Sequence, residues 1–186
     1  MKNLKSITLT LMVLLMSVLQ VNAQTKKQIS DSKKQMSEIL KANKLTEQNL
    51  VKFDTLDFVI YSKQEWSRLH ESHAKNIRVV YPDGSVTVGI EDHIAQLAPM
   101  FTFAPDTKIK VHPIRFGSGE YTAVTGVLEG TFSQPMKLAD GTSIPPTGKS
   151  FKLPMCTIGL WKDGVMYEEH LFWDNQAFMK QIGLAK

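Results

Sequence analysis

The sequence predicts an α+β fold, with helices packed against one curved antiparallel sheet. Two observations carry that expectation: helical patterns fill the first half of the chain, and long alternating strands follow one another after residue 105. A third is the absence of any internal repeat or second composition regime, which argues for one folded domain.

The 186-residue chain begins with a basic Lys2/Lys5 segment, an apolar run from Ile7 to Val21 and a small-residue site, Val21-Asn22-Ala23. This reads as a secretory leader cleaved after Ala23, because the run is short for a membrane span of about 20 residues. Residues 1–23 are therefore assigned to a signal peptide, 24–45 to an N-terminal helix or arm and 46–186 to the folded domain. The mature protein is expected to be periplasmic or secreted, without membrane attachment. Two lysines leave with the leader, so 20 basic face 18 acidic residues, and the formal charge falls from +4 to +2. A surface so nearly balanced argues against nucleic acid as a partner. The single cysteine, Cys156, cannot form an internal disulfide, so packing must supply the stability. Its place in an apolar strand suggests a small buried hydrophobe.

Residues 24–45 are lysine-rich, with apolar positions only at Ile29, Met36, Ile39 and Leu40. Thr46 is placed to cap a second helix with Leu50, Phe53 and Leu56 inside. Ser62-Lys-Gln-Glu65 has the form of a capping box, opening a helix with Trp66, Leu69 and His73 at helical spacing. Asn76 to Tyr81 and Ser85 to Val88 form a hairpin around Pro82-Asp83-Gly84. Ile90, Ile94, Leu97 and Phe101 mark a helix that Pro105 ends. Strands follow at Lys108–Phe116, Glu120–Phe132, Ser150–Trp161 and Val165–Phe172, then a helix from Asn175 to Ile182 stopped by Gly183. The Pro- and Gly-rich loop Gln134–Gly148 is read as a connection in preference to a lid.

The chemistry is expected near the last strand. Glu168 and His170 are two apart, so they share one face, either into a pocket or out of it. Facing in, they would form an acid/base pair; otherwise they are a hydrogen-bonded structural pair. Asp174 is either a proton-transfer carboxylate or the N-cap of the last helix. Trp66, His73, Phe101, His112, Tyr121, Met155 and Phe172 are candidates for lining a pocket that takes a small apolar or aromatic molecule. His70 and His73 lie three apart, but a stable metal site needs further ligands, and His93 and His112 serve only if the fold brings them close. No metal and no cofactor are expected.

In this order the chain resembles the SnoaL-like polyketide cyclase and ester cyclase group of the nuclear transport factor 2 superfamily. The resemblance rests on Tyr81-Pro-Asp-Gly84, Val88-Gly89, Pro105-Asp106, Gly126 to Thr131, Pro145-Pro-Thr-Gly148-Lys149, Asp163-Gly164, Glu168, Trp173-Asp174 and Gln181-Ile-Gly183-Leu184. It covers residues from about Thr46 to Leu184. It implies a cone-shaped, cystatin-like or nuclear transport factor 2-like fold around a deep apolar cavity. It also implies cofactor-free acid/base chemistry of cyclase, isomerase or lyase type, with Asp174 at the position of the family's acid, and a homodimer. His170 departs from the pattern, since many relatives carry tryptophan there, which puts the aldol activity in question. A non-enzymatic ligand-binding or dimerisation module of the same fold is the alternative reading.

Overall fold

The structure is a computed structural model that describes residues 2–138 and 140–186, with side chains from residue 20 onward. The leader assigned to residues 1–23 thus falls largely outside the described side chains. Among the described residues no helix is long and apolar enough to cross a membrane. The chain divides into two compact units, one ending at Ala42 and the other spanning Asn43–Lys186. In the first, the predicted apolar positions Ile29, Met36, Ile39 and Leu40 are all exposed.

Helix α1 runs without interruption over Lys2–Thr55. The predicted break at Thr46 is absent, because no Gly or Pro stands between residues 24 and 55 to end the helix. The Thr46 hydroxyl donates instead to the Gly119 carbonyl at 3.1 Å. Helix α1 gives way to a π-helical turn, Leu56–Tyr61, and a 3₁₀ helix, Trp66–Glu71. The expected capping box does not form. Ser62 closes the π turn by donating to the Asp57 carbonyl at 2.6 Å, while Glu65 pairs with Arg68. His73 consequently begins a strand rather than ending a helix.

Strands β1 (His73–Val80) and β2 (Val86–Val88) form the predicted hairpin, with Arg78 opposite Val88 and Gly84 at φ +84° in its turn. Helix α2 covers Ile90–Phe103. The predicted strand 108–116 is split into β3 (Lys108–Ile109) and β4 (Arg115–Ser118), which pair with opposite ends of β5 (Tyr121–Thr131). Pro113 lies in the gap, where it removes a ladder donor. The loop after β5 carries a small hairpin, β6 (Met136–Lys137) with β7 (Ser143–Ile144). Strands β8 (Ser150–Lys162) and β9 (Val165–Trp173) meet at Asp163-Gly164, where both residues have positive φ, as a two-residue turn of this hand requires. Helix α3, Asn175–Gln181, closes the chain.

The main sheet runs β2-β1-β9-β8-β5-β3, with β4 also on β5. It is antiparallel throughout except where β1 lies parallel to β9. Along β5 the even-numbered residues are buried and the odd ones are not, as a one-sided sheet demands. Two apolar clusters pack on the inner face. One gathers Phe53, Ile60, Ile77, Trp161 and Met166; the other gathers Phe103, Phe132, Phe151, Phe178 and Ile182. Each such side chain contributes about 1.5–3 kcal/mol by burial. Trp161 is also fixed by its indole N–H, which donates to Thr122 Oγ1 at 2.8 Å.

Candidate active site

A cavity of about 300 Å³ lies on the inner face of the sheet. Its walls are mostly apolar: Leu56 and Tyr61 from the π turn, Leu97 and Met100 from α2, Leu153 and Met155 from β8, Leu171 and Trp173 from β9, and Phe178 from α3. Residues of both apolar clusters contribute to it, so packing leaves a hollow between them. Four buried acids and imidazoles break the apolar lining, Asp57, His73, His93 and Glu169, while Asp83 contributes an exposed carboxylate and Tyr61 and Tyr81 their phenols.

Glu169, His73 and His93 form one buried cluster, exposed by 4%, 2% and 3% respectively. Glu169 Oε2 lies 3.5 Å from Nε2 of each histidine. The far nitrogens are anchored: His73 Nδ1 meets Ser72 Oγ at 2.9 Å, and His93 Nδ1 meets the Tyr81 hydroxyl at 2.8 Å. Burial pushes His93 down to about 4 against the pull of Glu169, so the ring is neutral near pH 7. Burial also opposes ionisation of Glu169, but His73, His93 and His170 outweigh it and hold the carboxyl below its ordinary value.

Asp57 forms the second polar element. His112 Nε2 lies 2.9 Å from its Oδ2, while His112 Nδ1 lies 2.7 Å from Asp54 Oδ1, and Arg115 reaches Asp54 at 2.5 Å. Burial raises Asp57 above the usual carboxylate range despite the histidine. Burial works against a charged His112 ring too, but its bonds to Asp57 and Asp54 prevail and raise it. The cavity thus holds two buried carboxyls displaced in opposite directions, Asp57 upward and Glu169 downward, a pattern suited to one acid and one base. From Asp57 a chain of hydrogen bonds leads through His112 to the partly exposed Asp54.

The structure corrects the expected placement of the closing strand. Glu168 and His170 do share a face, but it is the face away from the cavity. They bond to each other at 2.7 Å, and Glu168 also meets Arg78 at 3.3 Å. The reason is a bulge. Trp161 pairs with Met166, yet Leu160 pairs with Glu168, which leaves Tyr167 without an opposite residue. One extra residue reverses the alternation, so buried Met166 is followed by inward Glu169, Leu171 and Trp173. Asp174 is the N-cap of α3, its Oδ1 accepting from Ala177 N–H at 2.9 Å.

Among the other candidates, His73 and Met155 line the cavity. His112 acts one step behind the wall, through Asp57. Trp66 and Phe101 pack edge-on against Tyr61 and each other rather than reaching the hollow. Tyr121 and Phe172 are exposed, because their strand positions face outward. Cys156 is half-buried at the parity opposite to Met155 and Thr157. Three cavity groups were missed as acid/base candidates: Asp57, His93 and Glu169. For two of them a signal existed, since His93 shares the stripe of Ile90 and Leu97, and Asp57 that of Phe53 and Ile60.

A bent sheet, helices over its concave side and a partly apolar hollow with buried acids define a pocket domain of the nuclear transport factor 2-like kind. Residues 54–182 match the SnoaL-like polyketide cyclase family, and the chain belongs to it. Among solved structures, it resembles a protein of Jannaschia sp. CCS1 described as a SnoaL-like polyketide cyclase. That match has TM-score 0.65 and 23% identity over 76% of this chain and 96% of the other. IdmH of Streptomyces antibioticus, described as a polyketide cyclase, gives TM-score 0.63 and 21% identity over 73% of this chain and 99% of its own. A Catenulispora acidiphila protein with a ketosteroid isomerase-like fold gives TM-score 0.57 and 13% identity, covering 75% and 95%. No functionally curated protein matches the chain.

Proposed function

We propose that this protein binds a small, largely apolar carbonyl compound in the cavity and moves protons on it, in a cyclase, isomerase or lyase reaction. The observation that carries this reading is the pair of buried carboxyls, Asp57 and Glu169, on an otherwise mostly apolar wall. Glu169, in its low-shifted state, takes a proton from the carbon beside the carbonyl. Asp57, raised by burial towards its protonated form, donates to the oxygen and is refilled through His112 and Asp54. The acid/base role expected of Glu168 and His170 passes to Glu169, and that of Asp174 to Asp57.

The test needs no knowledge of the natural substrate. The mature protein is incubated with 2-tetralone, an aromatic ketone, in D₂O, and exchange at the α-carbon is followed by NMR. Wild type should accelerate exchange, Glu169→Gln and Asp57→Asn should lose it, and Glu168→Ala should keep it. Binding without exchange would favour the ligand-store reading. The same proposal includes export after cleavage at Ala23 and a homodimer. N-terminal sequencing starting at Gln24 and native mass spectrometry test those two parts.

A further inference from the structure

We propose that His73, His93 and Glu169 form a binding site for a divalent transition metal of the zinc class. The inference concerns the same cavity as the reading above but stands on separate geometry, and in the metal-bound protein Glu169 is a ligand in place of the free base. The three side chains come from β1, α2 and β9, and their donor atoms lie within 4.8 Å of one another.

Hydrogen bonding fixes which atoms face the centre. The Ser72 hydroxyl donates to the Leu69 carbonyl at 3.2 Å, so towards His73 it accepts the Nδ1 proton. That leaves the lone pair of His73 on Nε2, aimed at Glu169. At His93, the Tyr81 hydroxyl can accept from Nδ1 while donating to Thr87 Oγ1 at 3.2 Å, with the same consequence. Histidine ligands of metals carry such an outer partner on the second nitrogen. Here each of the two has one.

Two lone pairs and a carboxylate oxygen therefore converge in a site with almost no exposure. Among the described residues, His73 Nε2 and Glu169 Oε2 have no hydrogen-bond partner, although buried polar atoms are nearly always satisfied. Three acceptors do not hold one another together; a cation between them does. A proton is a poor fit, because a charged N–H···O bond closes to about 2.7–2.9 Å, whereas both separations are 3.5 Å. A tetrahedral ion with ligands at about 2.0–2.1 Å sets neighbouring donors roughly 3.4 Å apart. Two imidazoles and one carboxylate suit zinc-class ions, while magnesium and calcium prefer all-oxygen sets. All three residues line the cavity, so the fourth position opens onto the hollow, where a ligand oxygen would be held.

The experiment is titration of EDTA-stripped mature protein with Co²⁺, followed by visible absorption and competed with Zn²⁺. The expected result is one equivalent per chain with the intense absorption of tetrahedral cobalt. Glu169→Gln and His93→Ala should weaken binding by more than the roughly 10- to 100-fold cost of losing an outer partner, and Tyr81→Phe should fall within that range. Glu168→Ala should bind like wild type. Circular dichroism checks that each variant folds, and the wild-type titration stands whatever the variants do. Absence of a stoichiometric cobalt spectrum in wild type, or an undiminished one in folded Glu169→Gln, overturns the proposal. Because this readout is binding alone, its failure leaves the ketone-exchange test of the proton chemistry untouched.

Discussion

Replacing Glu169 by glutamine should make the metal-free protein less stable at neutral pH, because the fold holds this carboxyl below its ordinary value and so favours its charged form. The side chain is 4% exposed, and among the described residues its Oε2 has no hydrogen-bond partner. A buried polar atom left unpaired costs about 1–3 kcal/mol. Glutamine keeps the shape but puts a neutral amide where, despite burial, the flanking histidines favour a carboxylate, so stripped Glu169→Gln should lose about 1–3 kcal/mol. At roughly 3 °C per kcal/mol for a domain of this size, Tm should fall by about 3–9 °C. The assay is thermal unfolding by circular dichroism in EDTA, at neutral pH, against wild type. Adding Co²⁺ at 100 times its Kd should then raise wild type alone, by about 2.7 kcal/mol, which widens the gap. A stripped variant that melts at or above wild type would refute the reasoning, because Glu169 would then be a group held at the fold's expense.

Further expectations concern residues around the cavity. Asp174→Ala should cost about 0.5–2 kcal/mol in chemical denaturation through loss of the α3 cap, with ketone exchange unchanged. The double variant Glu168→Ala/His170→Ala should leave exchange within about twofold of wild type, since both side chains lie outside the hollow; a loss of tenfold or more (about 1.4 kcal/mol of barrier) would restore them to the chemistry. His93 has a depressed folded pKa, about 4 against 6.5, so the unfolded chain binds its proton first as pH falls. Stability should be complete above pH 6.5 and drop by about 3 kcal/mol by pH 4. Urea denaturation in EDTA should show this slope, and His93→Asn should flatten it.

The order of elements was legible because the periodicities are strong. The alternation of β5, the stripe of α2 and the Asp163-Gly164 turn each specify their structure locally. What failed were features set by competition between partners rather than by periodicity. Ser62 and Glu65 match a capping box, but the Asp57 carbonyl and Arg68 compete successfully for them. The bulge at Tyr167 has no local signature, since two glutamates in succession offer either one to the inner face. His73 could be chosen correctly as a pocket residue even on the wrong element, because helix and strand both buried it. Asp174 fulfilled the reading that needs only local geometry.

The unpaired Tyr167 makes the polarity of the pocket a matter of phase rather than composition. Deleting that single residue would let the ladder run unbroken with Glu169 still in the hollow, whereas keeping it and straightening the bulge would bring Glu168 in. Relatives compared column by column across β9 will therefore appear to share an acid while placing it on opposite sides of the sheet, wherever one has the extra residue and another does not. Position in space, counted from Trp173 backwards, is the safer guide to which carboxylate enters the hollow.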